Sequence, residues 1–273
     1  MNLNELVNNY LLSDYELGDA QSKVCQDLIL YKIGKSKYAH NITIKGGVVM
    51  HNISKNKRRA TRDLDLDFIK YSLDDDSIIN FINELNENDT DCIIKINGSI
   101  EKLHHQDYDG KRVNILIIDN YDNSLETKLD IGVHKYFEII QDEYIFDLNI
   151  LDGSVALLIN SPEQIVVEKL KSLLKFGIRS TRYKDIFDFY YLINNDKLNK
   201  DRLIKYINLL IINDESTNQN SINDIVLRLR TILNNKRFID RLDNARSNWI
   251  NLPINIVIDN VISYFSSFEP VQV

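Results

Sequence analysis

Apolar and polar positions follow different periods in the two halves of the chain. Before about residue 155, the pattern mixes the helical period with the strand period. It predicts helices over residues 19–33 and 77–85, and strands over residues 64–68, 92–102, 112–118 and 127–133. The pair Asp109-Gly110 predicts a hairpin between the second and third of these strands.

After a transition near residues 152–162, the spacing is almost wholly helical. Ser161 and Pro162 are typical of the first positions of a helix, and Gly177 is typical of its end. Further helices are predicted over residues 184–193, 201–211, 222–233, 236–249 and 254–265. The order of elements predicts an α+β fold, with a small mixed sheet and helices followed by a helical half. We therefore expect two domains, residues 1–155 and residues 156–273.

Composition narrows the class of protein. The chain has 273 residues, of which 44% are hydrophobic and 27% charged, which excludes disordered and collagen-like classes. The net charge of −7 means that any contact with nucleic acid must come from a local basic patch. Two distant cysteines, Cys25 and Cys92, cannot form a disulfide framework. Without a signal peptide or an apolar run of about 20 residues, we expect a cytoplasmic protein with no membrane partner.

The alternation in residues 64–68 places acidic side chains on one face of a strand. Along that face, each of Asp63, Asp65 and Asp67 would lie roughly 7 Å from the next. Their carboxylates would repel one another unless a cation neutralised them. Mg²⁺, or Mn²⁺ in its place, suits such a pair together with substrate phosphates. Asp130, on the polar face of its own strand, is the candidate for a third carboxylate, and Thr61 could add a hydroxyl. A solvated edge strand is the alternative.

A glycine pair precedes these acids. Gly46 and Gly47 allow close approach of the backbone to a phosphate, and the N–H groups there favour an anion. A short helix over residues 48–53 is expected next, and then a basic loop over residues 55–59 with Arg62. This loop could hold a triphosphate or an RNA backbone, or could be an ordinary solvated loop.

A second group of charges lies in the helical half. Lys169 falls on the apolar side of the helix that begins at Pro162, where its stem could pass the edge of the core or its ammonium could face phosphates. Asp185 stands at the start of the next helix, where the helix dipole favours an acid. Asp188 lies among aromatic residues, so we expect it to be buried and paired with Lys169 or Lys184.

These two groups of residues resemble the motifs of AbiEii/AbiGii-type nucleotidyltransferase toxins, which have a DNA-polymerase-β-like nucleotidyltransferase core. The first motif reads here Lys45-Gly46-Gly47, followed by Arg59-Ala60-Thr61-Arg62-Asp63-Leu64-Asp65. The second reads Ser161-Pro162-Glu163, Glu168-Lys169 and Arg182-Tyr183-Lys184-Asp185-Ile186-Phe187-Asp188. Both occur in the order of the family, and the resemblance spans about residues 23–193.

The resemblance implies a site and an activity. Asp63 and Asp65 would hold Mg²⁺, with Lys169 and Asp185 completing the nucleotide site, and a nucleoside monophosphate would pass from an NTP to an acceptor. Family members are toxins paired with antitoxins, act in phage abortive infection, and in some cases modify tRNA ends, so we expect an RNA acceptor, with tRNA 3′ ends as one candidate. The substrate-binding positions would be Lys45, Gly46, Gly47, Arg59, Thr61, Arg182, Lys184 and Asp188.

One position departs from the pattern of the family, and two other functions compete with nucleotide transfer as interpretations of the sequence. Val48 stands where the family often has Ser or Thr, so phosphate contacts are expected from backbone N–H groups. The rivals are a metal-dependent nuclease or glycosyltransferase that uses Asp-x-Asp, against which the glycine turn argues, and a non-catalytic NTP- or RNA-binding module on a degenerate fold. Either Asp130 or Asp185 could accept the proton of the acceptor hydroxyl.

Overall fold

The structure is a computed structural model that describes residues 1–87, 91–103, 110–148, 153–245 and 247–268. The chain forms two compact units, Met1–Asn160 and Ser161–Val273. Asp109, half of the predicted hairpin turn, lies outside the described residues. Within the described ranges, every helix is too short or too polar to cross a bilayer.

The first unit is a mixed sheet with helices. Its helices are α1 (Leu3–Leu12), α2 (Leu17–Lys35), α3 (Gly46–Ser54) and α4 (Asp75–Glu84). Its strands are β1 (Ile42–Lys45), β2 (Leu64–Phe68), β3 (Cys92–Ile96), β4 (Glu101–Leu103), β5 (Gly110–Asp119), β6 (Ser124–Val133), β7 (Asp142–Leu148) and β8 (Gly153–Ile159). The strand order is β3-β5-β6-β2-β1-β8-β7, and β4 pairs with β5.

The strand that carries the acidic residues lies in the middle of this sheet. β2 is antiparallel to β1 and parallel to β6, so both of its edges are hydrogen-bonded. Leu64, Leu66 and Phe68 are buried, which explains why apolar residues alternate with the aspartates. The predicted strand over residues 64–68 is confirmed, but the alternative of a solvated edge strand is wrong.

Several elements of the first unit differ from the prediction. The predicted strand 92–102 is two strands, β3 and β4, which are separated at Gly98, where φ is +94°. Helix α1 and strands β7 and β8 were not predicted. In β7 the exposed Ile145 stands between Tyr144 and Phe146, and β8 is a continuous apolar run after two small residues, so neither sequence alternates apolar with polar residues.

The second unit is helical. It contains α5 (Pro162–Phe176), α6 (Lys184–Asn194), α7 (Lys200–Ile207), α8 (Ile222–Leu233), α9 (Lys236–Asn244) and α10 (Ile254–Ser266). As predicted, Ser161 caps α5, since its hydroxyl accepts a hydrogen bond from the backbone N–H of Gln164 at 3.2 Å. The predicted helix 201–211 is α-helical only to Ile207 and continues as a π-helical turn over Asn208–Ile212. Helix α9 ends at Asn244, five residues before its predicted end at residue 249. The α+β class with a helical half is confirmed.

Candidate active site

One row of charged residues crosses four strands of the sheet. Lys45 on β1 pairs with Asp65 on β2, which pairs in turn with Asp130 on β6. Asp130 pairs with Arg112 on β5. Side chains at paired positions share one face of a sheet, so two acids stand side by side with a cation at each end of the row. Asp65 and Asp130 are thus brought together, as predicted from their strands.

The glycine pair lies against this row. β1 ends at Lys45, and α3 begins at Gly46 with φ of +68°, a conformation that favours glycine. A Cβ atom at Gly46 would overlap with Oδ2 of Asp65, and one at Gly47 would lie 2.5 Å from Oγ1 of Thr61. Both glycines are therefore required because the side chains of Asp65 and Thr61 approach the backbone so closely.

The start of α3 offers an anion site made of backbone. The first N–H groups of a helix have no partner within the helix, and the dipole there favours negative charge. Val48 is fully buried, so its side chain belongs to the core and the backbone supplies the donors. Phosphate contacts from backbone N–H groups stay a prediction.

We expect that Gly46→Ala lowers nucleotide transfer at least tenfold, because the methyl group displaces the Asp65 carboxylate, and that it costs about 1–3 kcal/mol of stability. The control is Gly98→Ala, since Gly98 also has positive φ, of +94°, but its Cβ would meet nothing within 4 Å. Turnover and melting temperature are measured for both variants. An equal loss of turnover in the two would show that backbone strain alone is responsible.

The three predicted aspartates have different environments. Asp63 is exposed and lies one residue before the start of β2, and its place on the strand face with Asp65 stays a prediction. Asp67 is buried, and its Oδ1 lies 2.5 Å from Nζ of Lys45. Asp67 is therefore neutralised by a lysine. The loop before β2 is held by α2, where Nε2 of Gln26 donates to the carbonyl oxygen of Thr61 at 2.8 Å.

Asp130 is neutralised by an arginine that the sequence analysis missed. Nε and Nη2 of Arg112 donate to its two carboxylate oxygens, each at 2.7 Å. The hydrogen bonds to Asp130 raise the pKa of Arg112 above its usual range, and the charges of Asp63 and Asp65 raise it further. The charges of three acids thus act on one guanidinium group. The pairing of Arg112 with Asp130 depends on the register of β5 against β6, which cannot be derived from a single sequence.

The donor set suits a divalent cation that also binds phosphate. Within the described ranges, no group of three or more His, Cys, Asp or Glu side chains is arranged to hold a metal ion. Asp65 supplies a carboxylate beside the start of α3, and Asp63, two residues before it, carries a second one whose charge acts on Arg112. Because Mg²⁺ is commonly held by one or two carboxylates together with substrate phosphates and water, these residues fit it.

The basic loop before β2 combines exposed cations with one buried arginine. Lys55 lies 3.4 Å from Asp147, and Lys57 lies 3.6 Å from Asp14. Arg59 is buried. The two exposed lysine pairs contribute little to stability and would separate easily, so a phosphate or RNA contact and an ordinary solvated loop both stay predictions.

A second charged cluster is buried in the helical unit. Lys169 is 5% exposed, donates to Asp185 and lies 3.0 Å from Oδ2 of Asp188. Arg182 contacts Asp185 at 2.9 Å, and Nε1 of Trp249 donates to Asp188 at 3.1 Å. The predicted pairing of Asp188 with Lys169 is confirmed. The alternative in which the stem of Lys169 passes the edge of the core is wrong, because its ammonium group is buried between two carboxylates.

The comparisons with known proteins can now be set beside this geometry. The sequence matches the family model described as nucleotidyl transferase AbiEii toxin, type IV TA system, over residues 28–250. The curated proteins contain no match to the chain. The chain is similar to a solved structure, an antigenic nucleotidyltransferase-like protein from Paracoccidioides brasiliensis, with 16% identity and a TM-score of 0.40. That similarity covers 82% of this chain and 92% of the other.

Proposed function

Since the chain belongs to the AbiEii family of nucleotidyl transferase toxins of type IV toxin–antitoxin systems, we propose that it transfers a nucleoside monophosphate from an NTP to RNA with Mg²⁺. The family makes the chain a nucleotidyltransferase toxin with a nucleotide substrate and an antitoxin partner. Mg²⁺, an RNA acceptor with tRNA 3′ ends as one candidate, and a role in abortive infection of phage-infected cells are the parts that we propose.

The contact between Asp65 and the backbone of Gly46 supports this proposal most directly. It places a carboxylate against the first turn of α3, where the N–H groups have no partner within the helix and favour an anion. A phosphate held by these N–H groups and a cation held by Asp65 would therefore be neighbours. A metal bound with a triphosphate requires such an arrangement.

Each group of the first unit has a proposed part in the reaction. Asp63 and Asp65 would hold Mg²⁺, with Asp130 as the third carboxylate. Bound Mg²⁺ would supply positive charge to the triphosphate and to the pyrophosphate that leaves. The N–H groups of Gly46 and Gly47 would orient the phosphates, and the Thr61 hydroxyl could donate to them.

Two carboxylates, each in contact with cationic side chains, are the candidates for the proton acceptor. Asp130 accepts two hydrogen bonds from Arg112, and Asp185 accepts from Lys169 and contacts Arg182. Each carboxylate oxygen has a second lone pair, so either carboxylate can accept the proton of the attacking hydroxyl while it keeps these contacts. Both stay candidates for this role. The substrate contacts implied for Lys45, Arg59, Lys169, Arg182, Lys184 and Asp188 also stay predictions.

Incubation of the full chain with each α-labelled NTP and a pool of tRNA tests the proposal. We expect label from at least one NTP to join RNA, to be lost with EDTA, and to return with Mg²⁺ or Mn²⁺. Sequencing of RNA 3′ ends after induction of the chain would identify the acceptor. Shortened RNA without added label would support the nuclease, and NTP binding without transfer to any RNA would support the non-catalytic module.

A further inference from the structure

A basic cavity lies within the second unit, at the C-terminal ends of α5 and α8. It has a volume of about 500 Å³. Three lining side chains are the cations Lys175, Arg179 and Arg228, and no Asp or Glu lines it among the described residues. In a chain whose net charge is −7, this concentration of positive charge is a local feature that favours an anionic ligand.

A glycine leaves room for one of these cations beside the end of α5. α5 ends at Phe176, and Gly177 has φ of +55°. A Cβ atom at Gly177 would lie 2.8 Å from Nη2 of Arg228, so the absence of a side chain lets this guanidinium lie against the turn. Helix C-termini favour cations, which accounts for part of the arrangement. Arg179 and Arg228 nevertheless have no carboxylate partner in the part of the chain that the structure describes.

Exposed apolar side chains border the same cations. Phe176 is 45% exposed and Ile178 is 39% exposed, and both line the cavity. Thr231 and Asn235, on and just beyond α8, add groups that can form hydrogen bonds. An exposed aromatic ring beside arginine and lysine is the combination by which proteins bind single-stranded nucleic acid, since bases stack on the ring and phosphates pair with the cations.

We propose that this cavity binds a single-stranded segment of the RNA acceptor, an inference that rests on the proposed RNA acceptor. Arg179 and Arg228 bind its phosphates, and the ring of Phe176 stacks with a base. The site depends on the second unit alone. It therefore contributes affinity for the acceptor, and binding of RNA by the cavity requires neither an NTP nor a metal ion.

Fluorescence anisotropy of the full chain with a short, labelled single-stranded RNA, without NTP, tests the proposal. We expect Arg179→Glu/Arg228→Glu to weaken binding at least tenfold and to reduce the salt dependence of the binding constant by about 1.4 in slope, about 0.7 for each phosphate contact. Phe176→Ala should weaken binding about tenfold without changing this slope. The single variant Arg179→Glu, at an exposed position, tests the cavity without the substitution at Arg228, which could affect folding.

The matched control is Lys197→Glu/Lys205→Glu, which makes the same change in charge at exposed positions outside the cavity. Unchanged RNA binding in the arginine double variant, or an equal loss in the lysine control, would overturn the proposal. Unchanged RNA binding with loss of neutralisation by the antitoxin would also overturn it and would assign the cavity to an acidic protein segment.

Transfer of labelled nucleotide to RNA, measured on the same variants, separates this inference from the proposed function. Labelled RNA together with unchanged binding by the double variant would refute the cavity and leave the proposed function intact. Absence of labelled RNA with the unchanged chain, together with impaired binding by the double variant, would support the cavity as an RNA site and refute the proposed reaction.

Discussion

We expect Asp63→Asn to lower nucleotide transfer by about a thousandfold or more, while the free energy of unfolding stays within about 0.5 kcal/mol of that of the unchanged chain. The loss corresponds to about 4 kcal/mol of transition-state stabilisation, as expected when a metal ligand is removed. Stability is spared because Asp63 is exposed and precedes β2. Removal of its charge also relieves repulsion from Asp65 in the absence of a cation.

The matched control for this variant is Asp122→Asn. Asp122 is exposed and has φ of +62°, a conformation that asparagine tolerates well, so both the backbone and the lost charge are matched. Turnover with labelled NTP, Mg²⁺-dependent binding of NTP by titration calorimetry, and growth on induction are compared. If Asp63→Asn still arrests growth at equal expression, Asp63 does not act in the toxic reaction.

Asp188→Ala should cost about 3–5 kcal/mol of stability, because a buried ion pair is broken and the ammonium group of Lys169 keeps only one of its two carboxylate partners. Asp188 is fully buried, faces Nζ of Lys169 at 3.0 Å and accepts from Trp249. We expect the melting temperature of the second unit to fall by about 10 °C or more. Asp188→Asn should lose less, since its amide oxygen can still accept from Trp249.

The control for the buried cluster is Asp243→Ala, which removes an exposed aspartate from α9 of the same unit. Its effect on melting should be within about 0.5 kcal/mol. Circular dichroism during thermal unfolding measures all three variants. A melting temperature of Asp188→Ala equal to that of the control would mean that the buried pair contributes nothing to folding.

Local patterns predicted the parts of the site that depend on neighbours in sequence. The glycine turn, the short helix after it and the strand of acids follow from backbone and spacing rules, and the structure confirms them. The resemblance to the family is confirmed by the match over residues 28–250. The burial of Asp188 and its pairing with Lys169 were predicted because an acid among aromatic residues needs a counter-charge.

The ion pairs across the sheet could not be predicted in the same way. The partner of Asp130 is Arg112 and the partner of Asp67 is Lys45, and both pairs depend on strand register. Register follows from long-range pairing of hydrophobic faces, which a single sequence does not reveal. The strands β7 and β8 were missed for a related reason, since their pairing with the sheet compensates for a weak pattern of their own.

The central position of β2 makes the geometry of the acids inseparable from the folding of the protein. A slip of one residue against β1 and β6 would carry Leu64 and Leu66 to the opposite face and exchange them with the aspartates. Such a slip would place the leucines on the face of the charged row and the carboxylates in the apolar core. Misregistered chains are therefore eliminated by their own instability, and every molecule that folds presents Asp65 at the same place.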